Sequence, residues 1–113
     1  MDSKFLGSAV EMMILEVIAQ GPSYGYEITQ TVSDRSSGYF ELKEGSLYPA
    51  LHRLERQKLL RAIWREADGR RRKYYELTDA GRAELAARKT SWLGFSTGVN
   101  GVLGIGRAHL AGA

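Results

Sequence analysis

A change of hydrophobic period in the middle of the chain limits the folds open to this sequence. Leucines at helical spacing predict a helix over residues 47–58. From Leu59 to Leu77 apolar and polar residues instead alternate with a period of two, around the turn signal Asp68-Gly69. The sequence therefore predicts a helix followed at once by a two-stranded antiparallel hairpin.

Two further helices are predicted before this segment. Ser8 and Glu11 have the spacing of a capping box, which predicts that the first helix starts at Ser8. This helix ends before Gly21-Pro22, because proline disfavours helical backbone in the residue before it. Ser23 is expected to cap a second helix that extends to about Val32.

The remaining predicted elements are a very short strand and a last helix. Residues 39–42 alternate and predict a very short strand, and Thr78 or Asp79 is expected to cap a last helix that extends at least to Trp92. The order is helix, helix, short strand, helix, hairpin, helix. This order predicts a mainly α fold with a small β-hairpin, namely a winged helix-turn-helix domain followed by a C-terminal helix.

The charge is unevenly distributed along the 113 residues, although the net charge is only +3. Residues 1–51 carry three basic and seven acidic groups, whereas residues 52–73 carry nine basic and three acidic groups. Such a basic segment attracts polyanions, with a solvated charged surface as the alternative. Its position on the third helix and the hairpin favours double-stranded DNA as the partner.

Composition also excludes several classes of protein. The chain has no cysteine, and its two histidines, His52 and His109, are isolated, so no metal site and no cofactor are expected. Residues of Ser, His and Asp show no catalytic spacing, so the chain is not expected to be an enzyme. Glu11 and Glu16 interrupt the apolar N-terminal stretch, which is unlike a signal peptide. A cytoplasmic protein without a membrane segment is expected.

Two groups of side chains are predicted to contact DNA. The exposed side of the third helix carries Ser46, Tyr48, Pro49, His52, Arg53 and Arg56. The hairpin tip carries Arg70, Arg71, Arg72 and Lys73, whose mutual repulsion a phosphate backbone would relieve. The alternatives are an ordinary amphipathic helix and a solvated turn.

Three separated motifs resemble the PadR family of bacterial transcriptional regulators. They are Gly21-Pro22-Ser23-Tyr24-Gly25-Tyr26-Glu27-Ile28, Gly45-Ser46-Leu47-Tyr48-Pro49-Ala50-Leu51-His52-Arg53-Leu54-Glu55 and Arg71-Arg72-Lys73-Tyr74-Tyr75-Glu76-Leu77-Thr78-Asp79-Ala80-Gly81. The resemblance implies a dimeric repressor on an inverted-repeat operator. It also implies that residues 46–53 enter the major groove, that residues 69–73 follow the DNA backbone, and that the last helix forms the dimer interface.

The chain is accordingly divided into a DNA-binding domain (1–78), a dimerisation helix (79–103) and a frayed tail (104–113). The predicted interface residues are Leu85, Trp92, Phe95, Val99 and Val102. Trp92 is also the candidate site of a flat aromatic effector, with plain interface packing as the alternative. A different class of function, a winged-helix protein-interaction module without DNA binding, is the second hypothesis.

Overall fold

The computed structural model describes residues 3–106, with side chains from residue 7 onward. The elements in chain order are α1 (Ser3–Ala19), β1 (Ser23–Tyr24), α2 (Gly25–Arg35), α3 (Glu44–Arg56), β2 (Leu60–Ala67), β3 (Arg70–Leu77) and α4 (Asp79–Leu103). This architecture confirms the predicted mainly helical fold with a small antiparallel sheet. Residues 107–113 of the predicted tail lie outside the described residues.

The sheet has three strands rather than two, in the order β1-β3-β2. Ser23 pairs with Tyr75, and Tyr24 pairs with Tyr74, so the third strand lies where the sequence predicted a helix cap. The strand expected at residues 39–42 is wrong. Phe40 and Leu42 are half-buried against the core while their neighbours are exposed, so an extended segment without a partner strand produces the alternation.

The starts of the first two helices also differ from the prediction. Ser8 lies inside α1, which begins five residues earlier at Ser3. Ser23 does not cap α2, because its hydroxyl donates to the Gly21 carbonyl at 3.0 Å. Glu27 instead accepts from the backbone N–H of Tyr24, the residue before the helix, at 3.3 Å. The sequence thus predicted the presence of both helices but misplaced their starts.

One hydrophobic core joins all the helices to the sheet. The largest fully buried side chains are Ile14, Leu15, Ile18, Ile28, Leu47, Leu51 and Leu54. Tyr75 and Leu77 of β3 are buried and close this core from the side of the sheet. The leucine stripe of α3 is therefore buried, and its opposite side is turned towards solvent.

The start of α4 is held tightly to the hairpin. The hydroxyl of Thr78 accepts from the backbone N–H of Gly81 at 3.0 Å, so Thr78 is the N-cap, one of the two predicted. Beyond Leu85 no residue of α4 is buried in the described part of the chain. The helix therefore begins in the core and continues away from it.

Candidate nucleic-acid interface

The exposed side of α3 carries the residues predicted from the helical wheel. Ser46, Tyr48, Pro49, His52 and Arg56 are exposed, and Arg53 is half-buried. The leucines on the other side fix the rotation of the helix about its axis. The structure thus presents a polar, basic and aromatic surface on one side of a helix, and a major groove is wide enough to admit an α-helix.

Pro49 lies deeper in α3 than the sequence led us to expect. The helix starts at Glu44, so Pro49 belongs to its second turn and not to its first. Proline cannot donate to the carbonyl four residues earlier, which is that of Gly45. Gly45 is exposed, so water can satisfy this carbonyl, and the helix tolerates the proline.

Tyr48 lies against the neighbouring helix at Gly25. A Cβ atom at position 25 would be 2.7 Å from the Tyr48 hydroxyl oxygen, which is closer than side-chain atoms approach one another. A larger residue at position 25 would therefore force the Tyr48 phenol to shift from this position. The close approach fixes one end of the Tyr48 ring and leaves its exposed part on the surface of α3.

Arg53 is held by an ion pair that the sequence did not reveal. Its Nε donates to Oε2 of Glu11 on α1 at 2.8 Å. The other carboxylate oxygen of Glu11 accepts from Nη1 of Arg88 on α4 at 3.0 Å. Arg53 is therefore a constrained side chain at the edge of the α3 surface, and not the freely solvated arginine that was expected.

The hairpin tip is a tight two-residue turn. Asp68 and Gly69 have φ angles of 55° and 74°, the left-handed values that a type I′ turn requires. Such a turn matches the twist of the two strands that it joins, β2 and β3. The hairpin therefore projects as an ordered ribbon, which we call the wing (residues 60–77).

The four basic residues of the wing tip are not equivalent. The Arg72 guanidinium lies 4.6 Å from the Tyr24 ring centre, and that of Arg71 lies 4.9 Å from the Trp64 ring centre. Lys73 Nζ lies 3.8 Å from a carboxylate oxygen of Glu55 on α3. These contacts orient three of the four cations before any ligand binds.

Trp64 is a functional candidate that the sequence reasoning did not single out. Its side chain is 56% exposed on the same face of the wing as Lys73, its partner across the strands. The signal was available, since Trp64 lies four positions before the two-residue turn at Asp68-Gly69, which makes Lys73 its cross-strand partner on the same face. Trp64 adds a large apolar surface beside the cations.

Tyr74 does not offer a free surface for a stacked base. Its ring packs edge-on against Tyr24, with ring centres 5.3 Å apart, and Arg65 lies 5.2 Å from its centre. Recognition of single strands uses open aromatic faces. The wing therefore fits a duplex better than a single strand.

Most of the predicted interface residues on α4 are exposed, with one exception. Trp92, Phe95, Val99 and Val102 are exposed, whereas Leu85 is buried in the core of its own chain. The prediction for Leu85 is wrong because the first two turns of α4 pack on the sheet and α1, where the same apolar stripe covers the core. The apolar stripe of α4 is thus part of the chain's own core at Leu85 and is exposed from Trp92 onward.

Trp92 lines two cavities beside α4. One, of about 340 Å³, lies between α1 and α4 and is also lined by Met12, Arg88 and Phe95. The other, of about 600 Å³, reaches α2 and is also lined by Phe40 and Leu93. An aromatic effector beside Trp92 stays a prediction.

Residues 3–106 contain neither a metal-binding cluster nor a membrane-spanning helix. This part of the chain contains no group of three or more His, Cys, Asp or Glu residues placed to hold a metal ion. None of its helices is both long and apolar enough to span a membrane. His109 lies outside the described residues.

The fold and this surface together define a winged helix-turn-helix regulator, and comparison with known proteins identifies its family. Residues 14–87 match the model of the transcriptional regulator PadR-like family. The transcriptional regulator Rv3488 of Mycobacterium tuberculosis is 36% identical over 109 residues, which cover 96% of this chain and 95% of that protein. The chain belongs to the PadR-like family.

Solved structures agree with this assignment. A PadR-like transcriptional regulator of Bacillus cereus has 35% identity and a TM-score of 0.78, over 91% of this chain and 99% of its own. A PadR family regulator of Clostridium difficile has 34% identity and a TM-score of 0.73, over 84% and 98%. The protein is thus a DNA-binding transcriptional regulator and not an enzyme. Which side chains contact DNA stays a prediction.

Proposed function

We propose that the protein is a homodimeric repressor that binds an inverted-repeat operator through α3 and the wing. The observation that carries this proposal is the contact between Lys73 and Glu55, which places the basic wing directly beside the exposed side of α3. A helix in the major groove and a ribbon along the adjacent phosphates can then bind one duplex together. Repression follows from occupancy, since a protein bound across a promoter excludes polymerase.

The base-reading residues in this proposal lie on α3. Tyr48, His52 and Arg53 face the position of the base edges, whereas Arg70, Arg71, Arg72 and Lys73 face the position of the backbone. Base contacts carry sequence information and phosphate contacts carry affinity. The cytoplasm, where bacterial DNA lies, is the proposed location.

Binding to DNA across a series of salt concentrations tests this function. A duplex enriched by the wild-type protein from a randomised library is labelled, and its dissociation constant is measured by fluorescence anisotropy from 50 to 300 mM salt, a range of about sixfold. We expect the logarithm of affinity to fall linearly with the logarithm of salt, because phosphate contacts release counterions. Failure to enrich any sequence, or affinity independent of salt, would favour the protein-interaction module instead.

The homodimer is supported by the exposed apolar stripe of α4. Trp92, Phe95, Val99 and Val102 recur at heptad spacing. Gly94, Gly98 and Gly101 each weaken an isolated helix by about 1 kcal/mol. A helix of this composition gains stability by burying its stripe against a second copy. A two-fold dimer then presents two α3 helices, which matches an inverted repeat.

Replacing Val102 with glutamate is expected to dissociate the dimer. Val102 is 88% exposed in the single chain, so the substitution leaves the chain's own core intact. Two carboxylates in an apolar interface should weaken dimerisation about 100-fold. Light scattering after size exclusion should show the mass falling from two chains to one.

The matched control for this substitution is Thr97→Glu. Thr97 is exposed on the side of α4 opposite to the stripe, so the same charge there should leave the mass unchanged. Equal behaviour of the two variants, or a monomeric wild-type protein, would remove the support for a dimer through α4.

A further inference from the structure

A single carboxylate on α1 joins the recognition helix to the C-terminal helix. Glu11 accepts from Arg53 of α3 with Oε2 at 2.8 Å and from Arg88 of α4 with Oε1 at 3.0 Å. The Glu11 side chain is only 12% exposed, so water screens these two ion pairs less than it screens surface pairs. The two partners lie 42 and 77 residues away along the chain.

The way in which Glu11 contacts Arg53 leaves most of the guanidinium available. The hydrogen bond uses Nε, and the structure gives the two terminal amino groups no hydrogen bond within the described residues. The Arg53 side chain is 42% exposed. Four of the five planar donors are therefore free for a guanine edge or a phosphate, the two groups that arginine binds with paired hydrogen bonds.

Arg88 on α4 holds the Glu11 carboxylate in place. Arg88 donates through Nε to Glu84 at 2.7 Å as well as through Nη1 to Glu11. Burial disfavours the charged form of Arg88, but the hydrogen bonds to Glu84 and Glu11 outweigh this effect and raise the pKa of Arg88 above its ordinary value. The cation on α4 is thus a permanent anchor for Glu11.

We propose that Glu11 is a positioning residue for DNA recognition, which holds Arg53 so that its terminal amino groups face the DNA. The inference rests on the proposed function, since it requires α3 in the groove. An arginine held at Nε has less side-chain freedom to lose when it binds. Glu11 thereby raises the preference for the operator sequence, although a carboxylate near DNA weakens binding to any sequence.

The chain offers a matched control on the same helix. Glu16 also pairs α1 with α4, through Nζ of Lys89 at 2.7 Å, and within the described part of the chain its other ion pair is with Arg35 of α2 at 4.0 Å rather than with α3. The hydrogen bond from Lys89 is the largest of the effects that lower the pKa of Glu16, so this side chain is charged at neutral pH. Glu16→Ala therefore removes the same charge and a comparable ion pair.

The experiment measures the preference for the enriched duplex, which is the ratio of the dissociation constants on two duplexes, as well as the affinity for each. The dissociation constants of full-length wild type, Glu11→Ala, Glu11→Gln and Glu16→Ala are compared on the enriched duplex and on a scrambled duplex of equal composition. Thermal unfolding verifies that each variant is folded. We expect Glu11→Ala to lower the preference for the enriched duplex about tenfold. Glu11→Gln, which keeps an acceptor for Nε, should lower it less, and Glu16→Ala should not change it.

A double-mutant cycle with Arg53→Ala tests whether Glu11 changes the preference between duplexes through Arg53. If Glu11 acts through Arg53, Glu11→Ala should not alter the preference further in the Arg53→Ala background. The inference is overturned if Glu11→Ala and Glu16→Ala behave alike, if the effect persists without Arg53, or if Arg53→Ala keeps wild-type preference. Absence of any enriched duplex for the wild type would instead count against the proposed function itself.

Discussion

Replacing Gly81 with alanine is expected to lower the free energy of unfolding by about 3 kcal/mol, because the added methyl group has no space. Gly81 lies in the first turn of α4. A Cβ atom there would overlap the carbonyl oxygen of Leu59 and would lie 2.7 Å from Cδ1 of Leu77. The Leu59 carbonyl is fixed, since it accepts from both the backbone N–H and the hydroxyl of Thr78, each at 3.1 Å.

The same substitution elsewhere in α4 provides the control. Nothing lies within 4 Å of a Cβ atom at Gly94. Alanine there should raise the free energy of unfolding by about 1 kcal/mol through helix propensity. Urea unfolding of both variants at one protein concentration measures the two effects. A Gly81→Ala protein as stable as Gly94→Ala would show that α4 can shift away from the hairpin at little cost.

Alanine at both Arg71 and Arg72 should weaken DNA binding about 30-fold, by the same factor on the enriched duplex and on unrelated duplexes. These two cations belong to the wing tip, where phosphate contacts are expected, and a hydrogen bond to a charged group contributes about 1 kcal/mol or more. The slope of log affinity against log salt should become less steep by about 2. Fluorescence anisotropy across the salt series measures both quantities.

Two comparison variants isolate the role of the wing tip. Arg61→Ala with Arg82→Ala removes the same charge from exposed positions outside the wing tip, and it should change affinity far less. His52→Ala on α3 should instead reduce the preference between duplexes, because α3 faces the bases. If loss of Arg71 and Arg72 leaves DNA affinity intact, the wing does not bind the backbone, and the interaction-module hypothesis gains support.

Local patterns in the sequence were sufficient for most of the architecture and for identifying the exposed side of α3. The change of period at Leu59 correctly predicted the border between α3 and the hairpin. The pair Asp68-Gly69 correctly predicted the turn, because only a few residue types adopt left-handed backbone there. The leucine stripe of α3 determined its buried side, and therefore which side chains face solvent. Such features depend on near neighbours in the chain, and the sequence displays near neighbours directly.

Only the tertiary structure decided the contacts between distant segments. A two-residue strand is too short to show an alternating pattern in the sequence. Ser23 and Tyr24 pair with the edge of β3 that β2 does not occupy, and only the folded chain reveals this pairing. Leu85 and Val99 belong to one stripe, yet only Leu85 meets the core, because α4 is longer than the domain on which it packs. The sequence pattern placed Arg53 on the solvated side of α3. In the folded chain it instead pairs with Glu11, which lies 42 residues away in the sequence. Helix and strand periods specify which face of an element is apolar, but the partner of a polar side chain is set by how those faces pack together.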